Sequence, residues 1–303
     1  MIPFIKSLLK NIPVVRRHLA ERDALRQVYN RVNPGHFYSP IPSMENLYRN
    51  EARIFDRSLR QLPGVDLNVE GQLKLLDELK RFCGEHPWDE EPSVRLRYFF
   101  NNEYFRHADA ILLYCMIRFA QPKRLIEIGS GFSSFLALDT NERFFGGRIR
   151  LTFIDPHDER FRSRLKPGDL EAVELISIPL QDVELARFSE LSAGDILFVD
   201  SSHVSKVDSD VNRILFEILP RLPVGVFVHF HDVFYPFEYP KEWFKINRYW
   251  NEAYMLRAFL AHNSVFKICI WNHFIGTFYG EKLKECMPMC INDIGASLWL
   301  QRV

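Results

Sequence analysis

Apolar and polar positions change rhythm near residue 100. Before it, apolar residues recur every three to four positions within charged stretches. That spacing predicts amphipathic helices over 14–32 and 73–82, the second stopped by Gly84. The segment 35–43, Gly-His-Phe-Tyr-Ser-Pro-Ile-Pro-Ser, contains two prolines and cannot be a regular element. It reads as a structured loop whose aromatics either pack on the domain or close over a pocket. A helix is expected over 101–119, with His107, Asp109 and Tyr114 as surface positions on its polar side. Beyond Arg124, short branched apolar runs alternate with helical stretches, which predicts strands at 125–128, 149–154, 173–178, 196–199 and 224–230. A helical stretch over 243–261 precedes a closing pair of strands at 265–270 and 297–300. Such alternation implies right-handed crossovers and a mostly parallel sheet with helices on both faces, its last strand antiparallel. The chain thus divides into a mostly helical extension, 1–100, and an α/β domain, 101–303.

The first strand ends in Glu127-Ile128-Gly129-Ser130-Gly131, followed by Phe132-Ser133-Ser134 and an apolar helical run. Strand, glycine turn and helix start together let backbone approach a nucleotide-like ligand closely. A dinucleotide site would carry a third glycine where Ser134 stands and an acid at the end of the next strand. Here an acid also sits inside the strand, two residues before the first glycine. This suits a ligand with a cationic amino-acid moiety in place of a pyrophosphate.

In open α/β sheets ligands bind at the carboxyl ends of the strands, so those ends carry the test. Asp155 follows the second strand and can accept both hydroxyls of a ribose; capping the next helix is its competing role. Gln181 and Asp182 follow the third strand, where an amide or acid can meet an adenine amino group or cap the helix at 183–188. Asp200 and His203 follow the fourth, and His231 and Asp232 the fifth. Imidazole titrates near neutrality and can take a proton from an alcohol. The aromatic, proline-rich run 234–240 offers a stiff wall or plain core, and Trp250-Asn251-Glu252 offers polar groups to the pocket or a solvated helix face.

The glycine turn and these strand ends resemble class I S-adenosylmethionine-dependent methyltransferases, from about residue 100 onward. The resemblance implies a Rossmann-like fold with a seven-stranded, mostly parallel sheet and a helical N-terminal extension. It implies S-adenosylmethionine held by Glu127, Gly129, Ser130, Gly131 and Asp155, with Asp182 as an addition. The spacing of Asp200, His203, His231 and Asp232 resembles the catechol O-methyltransferase-like branch. There the corresponding residues hold a magnesium ion, which implies Asp200, His231 and Asp232 as metal ligands and Asp200 and His203 as the catalytic pair. Imidazole in place of an oxygen donor favours Mn²⁺ over Mg²⁺. The implied activity is methyl transfer to a hydroxyl of a small molecule, a sugar or natural product. The alternatives are a nicotinamide-dependent oxidoreductase, against which Ser134 counts, and an inactive nucleoside-binding assembly protein.

Composition narrows the partners. Lys+Arg and Asp+Glu both total 39, so no bulk basicity recruits nucleic acid. Five scattered cysteines make no disulfide framework, and Cys286 and Cys290 lack a second pair for zinc, which points to a reducing, cytoplasmic setting. No apolar run reaches the ~20 residues needed to span a bilayer. The first ten residues can rest on a membrane surface, but a helix packed on this chain or on a partner is the expected reading, which leaves a homo-oligomer open.

Overall fold

The computed structural model describes residues 13–28 and 32–303, so the expectation for the first ten residues lies outside the described part. Contacts group the chain into two compact units. One takes the described residues up to Asp56 with Phe244–Tyr249, the other Arg57–Trp243 with Trp250–Val303.

The first unit holds helices Pro13–Val28, Met44–Arg49 and Glu51–Ile54. Ser43 starts the second of these by accepting the Asn46 N–H at 3.2 Å. The loop before it is irregular, as its prolines require. Its aromatics do not pack as expected, however: Phe37 and Tyr38 are 81% and 75% exposed, Phe37 stacking on His36 and meeting Tyr38 at a tilt of 45°.

The second unit is built on a seven-stranded sheet: β1 Arg124–Ile128, β2 Arg150–Ile154, β3 Glu174–Ile176, β4 Ile196–Val199, β5 Phe227–Phe230, β6 Phe266–Trp271 and β7 Leu298–Arg302. Their order is β3-β2-β1-β4-β5-β7-β6, with β7 antiparallel to both neighbours and the first five strands parallel. β1 and β4 bury every residue except Arg124, as strands covered on both faces must. Buried Asp195 fixes their shared start, since one oxygen accepts the Lys123 and Arg124 N–H groups and the other accepts from Ser192. β5 begins three residues later than the sequence pattern suggests, because Gly225 turns the chain at φ +89°.

Three expectations need correction. Between helices Val69–Cys83 and His107–Ala120 the chain is irregular. Pro87 and Pro92 interrupt it, and buried Arg97 pins it through Asp139, Asp169 and Glu142. Asp109 and Tyr114 are buried, not surface positions: Asp109 Oδ1 accepts from Asn272, Ser297 and the Ala296 N–H. The stretch expected to be one helix is two, Lys241–Lys245 and Glu252–Leu260, separated by non-helical residues 246–251. All five cysteines are free and buried, and no helix among the described residues is long and apolar enough to cross a membrane.

Candidate active site

The crevice at the carboxyl ends of β1, β2 and β4 opens into a cavity of about 460 Å³. Gly129, Ser130, Asp155, Gln181 and Asp200 line it, one group from each of the predicted strand ends save the fifth. Its size falls in the usual range for small-ligand sites.

Gly129 makes the close approach possible. Its φ is +88°, and a Cβ there would stand 2.1 Å from the Asp200 carbonyl oxygen. Only glycine combines that backbone with that neighbour. Ser134 explains why a third glycine is not needed, since its Oγ accepts the Gly131 N–H at 3.0 Å and closes the helix start. Asp155 is fixed on the cavity wall. Its Oδ2 accepts from Ser130 N and Oγ at 2.9 and 2.7 Å, and its Oδ1 from His157 N at 2.8 Å. Oδ1 keeps one lone pair for a further donor, so the carboxylate has room to accept one hydroxyl of a ligand. Gly131 and Asp182 are not among the lining residues; the neighbouring Gln181 is, together with Arg160 and Lys206. Asp182 is exposed.

Glu127 lies under the turn and not on the cavity wall. It is 1% exposed and hydrogen-bonded to Ser133 Oγ. Burial pushes its carboxyl up to about 8, against the serine hydrogen bonds and with help from Asp200 and Asp155. The native chain therefore keeps a proton there that the unfolded chain releases above about 4.5. Native proton uptake exceeds unfolded uptake across that window, so stability falls as pH rises through it. Glu127→Gln, which keeps size but cannot ionise, is expected to flatten the melting temperature between about pH 5 and 8. Wild-type and variant curves running parallel would contradict this account of Glu127.

The ends of β4 and β5 bring the acids and imidazoles together. His203 Nε2 lies 3.2 Å from Asp200 Oδ1 and 3.9 Å from Asp232 Oδ2. His231 Nε2 is 3.8 Å from Asp232 Oδ1. Both His203 and Asp232 adopt φ +58°, an unusual conformation for these residues and a recurrent one at functional sites. Burial works against charge on His203, but its bonds to Asp200 and Glu252 outweigh that and hold the imidazole well above its usual range. Burial likewise pushes Asp200 up, and the positive charge of His231 and the His203 bond prevail, leaving it at about 2. Burial raises Asp232 despite the two imidazoles.

A divalent ion does not fit the arrangement as it stands. Among the described residues, the one His/Cys/Asp/Glu group with donor atoms all within 4.8 Å of one another is Asp77, Glu285 and Cys286, whose acids pair with Lys80 and Lys282. Asp200, His231 and Asp232 do not share such a centre, and Asp200 is engaged by His203.

The sequence left Glu252 either facing the pocket or on a solvated face; it is not solvated but 1% exposed, with Oε2 2.8 Å from His203 Nδ1. The proline-rich wall after β5 is mostly core: Tyr235, Phe237 and Tyr239 are each at most 1% exposed.

Residues 126–233 match the family described as a methyltransferase domain. An uncharacterized protein of Archaeoglobus fulgidus is 38% identical over 171 residues, which span 55% of this chain and 76% of that protein. The S-adenosylhomocysteine-bound methyltransferase PaMTH1 of Podospora anserina is similar at 14% identity and TM-score 0.43, over 88% of this chain and 99% of that one. The O-methyltransferase TomG of Streptomyces achromogenes, involved in tomaymycin synthesis, is similar at 16% identity and TM-score 0.42, over 86% and 95%. These two structural likenesses are too distant to bear on individual residues. The glycine turn and the acids that follow β2 and β4, placed around one crevice, all fall within residues 126–233, and this part of the chain belongs to the methyltransferase domain family.

Proposed function

We propose that the protein methylates a hydroxyl group of a small molecule, a sugar or natural product, with His203 as the proton acceptor. The observation that carries this reading is Asp200, which lines the donor cavity and at the same time touches His203 Nε2 at 3.2 Å. Asp200 therefore links the donor pocket to the proton acceptor behind its wall.

Bound S-adenosylmethionine supplies a sulfonium methyl group that an oxygen nucleophile can attack directly. The chain's own work is to hold the donor, aim the acceptor oxygen and manage one proton. Asp155 holds the ribose, and the backbone at Gly129 and Ser130 approaches the rest of the donor. Glu127 supports that turn from beneath. Asp182, exposed beside Gln181, does not line the cavity, which leaves Gln181 as the polar group after β3 that would meet the adenine. At the other end His203 Nε2 would take the proton of the acceptor oxygen, while the methyl–sulfur bond of the donor would break and leave a neutral thioether. The positive imidazolium that results rests between Asp200 and Glu252.

The donor spacing around Asp200, His231 and Asp232 supports transfer without a metal. Incubation with a chelator, followed by desalting, is expected to leave the rate within about two-fold of its starting value. Loss of activity restored by Mn²⁺ or Mg²⁺ would contradict that and return the three residues to the role of ligands.

The test of the function is a screen of hydroxylated small molecules with S-adenosylmethionine, read by mass spectrometry. The expected product is heavier by one methylene at an oxygen. Methyl transfer only to nitrogen or carbon acceptors would overturn the reading.

A further inference from the structure

Three consecutive residues, Trp250, Asn251 and Glu252, all close on the loop carrying His203, and only Glu252 has entered the proposed chemistry, as a counter-charge. The Trp250 ring stacks on the imidazole, with centroids 4.1 Å apart and planes inclined by 26°. Asn251 Oδ1 accepts the Ser205 N–H at 2.6 Å, and its Nδ2 donates to the Ser205 carbonyl at 3.2 Å. The backbone N–H groups of Asn251 and Glu252 both donate to the His203 carbonyl, each at 3.1 Å. Glu252 Oε2 meets His203 Nδ1 at 2.8 Å, and Oε1 accepts from Ser201 Oγ at 2.9 Å.

An acid in the first turn of helix Glu252–Leu260 has an ordinary explanation, favourable interaction with the helix dipole. That role needs no burial and no partner. Here the side chain is 1% exposed and both oxygens are spent on the 201–203 loop. The loop also needs holding, because His203 sits at φ +58°, where a residue with a side chain is strained.

The geometry points to a clasp: residues 250–252 fix the His203 ring so that Nδ1–H is bound to Glu252 and Nε2 faces Asp200 and Asp232. Trp250 sets the plane of the imidazole and Glu252 sets which edge points outward. A base within reach of its proton is effective only when a third group orients it, and Glu252 is that positioning residue. The inference rests on His203 being the proton acceptor.

The test uses the full-length protein with ¹⁵N-labelled histidine, with and without S-adenosylhomocysteine. A slowly exchanging Nδ1 proton far downfield of the amides is expected, assigned by its loss in His203→Gln. Glu252→Gln should move it upfield, and Glu252→Ala should abolish it. Affinity for S-adenosylhomocysteine in Glu252→Gln should stay within about two-fold of wild type. If the alanine variant does not fold, the glutamine variant decides. A bare Nδ1 in the wild type, or a resonance unmoved by Glu252→Gln, would overturn the clasp. Failure of the wild type to bind S-adenosylhomocysteine would instead remove the donor assignment and leave the spectroscopic result standing.

Discussion

His203→Ala is expected to lower kcat by about 10²–10⁴-fold, the usual contribution of a positioned proton acceptor. Affinity for S-adenosylhomocysteine should barely change, because the His203 ring is not part of the cavity wall that Asp155 and Gly129 form. A matching effect follows for pH. The bonds to Asp200 and Glu252 keep the imidazole charged above its usual range, and a charged ring cannot accept a proton. Activity should therefore rise as pH increases through that elevated value, placing the acid limb of the rate profile on the alkaline side of an ordinary histidine. The limb should vanish in His203→Ala. A variant that loses donor affinity in step with kcat, or a wild-type limb below neutrality, would show that His203 serves the binding of the donor or the fold and not the proton.

Gly129→Ala should have a comparably large effect by a different route. The added Cβ would meet the Asp200 carbonyl oxygen at 2.1 Å, and the backbone there is left-handed. Backbone is the obstacle, so no side chain can swing away. Strain of about 1–3 kcal/mol from φ alone adds to the cost of displacing β4 from β1. The melting temperature should fall by several degrees. The donor cavity, which both residues line, should lose affinity for S-adenosylhomocysteine. The two effects are read by thermal unfolding and calorimetry. An alanine variant as stable as wild type that still binds would mean the turn is not the close approach described.

What the sequence revealed, and what it hid, divides along physical lines. The β1 turn was legible because only glycine satisfies the backbone there, and strand ends were legible because apolar runs of this kind end abruptly in Asp155, Asp200 and His231-Asp232. Chain order alone then placed them on one edge, as parallel strands require. Side-chain direction was not legible. Glu127 has the right position along β1, yet its carboxyl turns beneath the helix start to Ser133 and not into the cavity. Asp109 looked like a solvated position and Glu252 like either a solvated or a pocket-facing one, because helical spacing reports a polar residue without reporting what packs on it. Each is instead committed to a distant partner, Ser297 for Asp109 and His203 for Glu252. The break at 246–251 was hidden because it contains no proline or glycine to announce it. Coordination distance was equally out of reach: spacing of acids and imidazoles placed Asp200, His231 and Asp232 near one another, but not whether their donor atoms share a centre.

Calorimetric titration of the full-length protein with S-adenosylhomocysteine, with NAD⁺ as a parallel ligand and Asp155→Ala as a parallel protein, tests the central claim most directly. Saturable binding of S-adenosylhomocysteine at one site per chain is predicted, absent for NAD⁺ and weakened at least about ten-fold in the variant. Binding of NAD⁺ in its place, or S-adenosylhomocysteine binding indifferent to Asp155, would contradict the account.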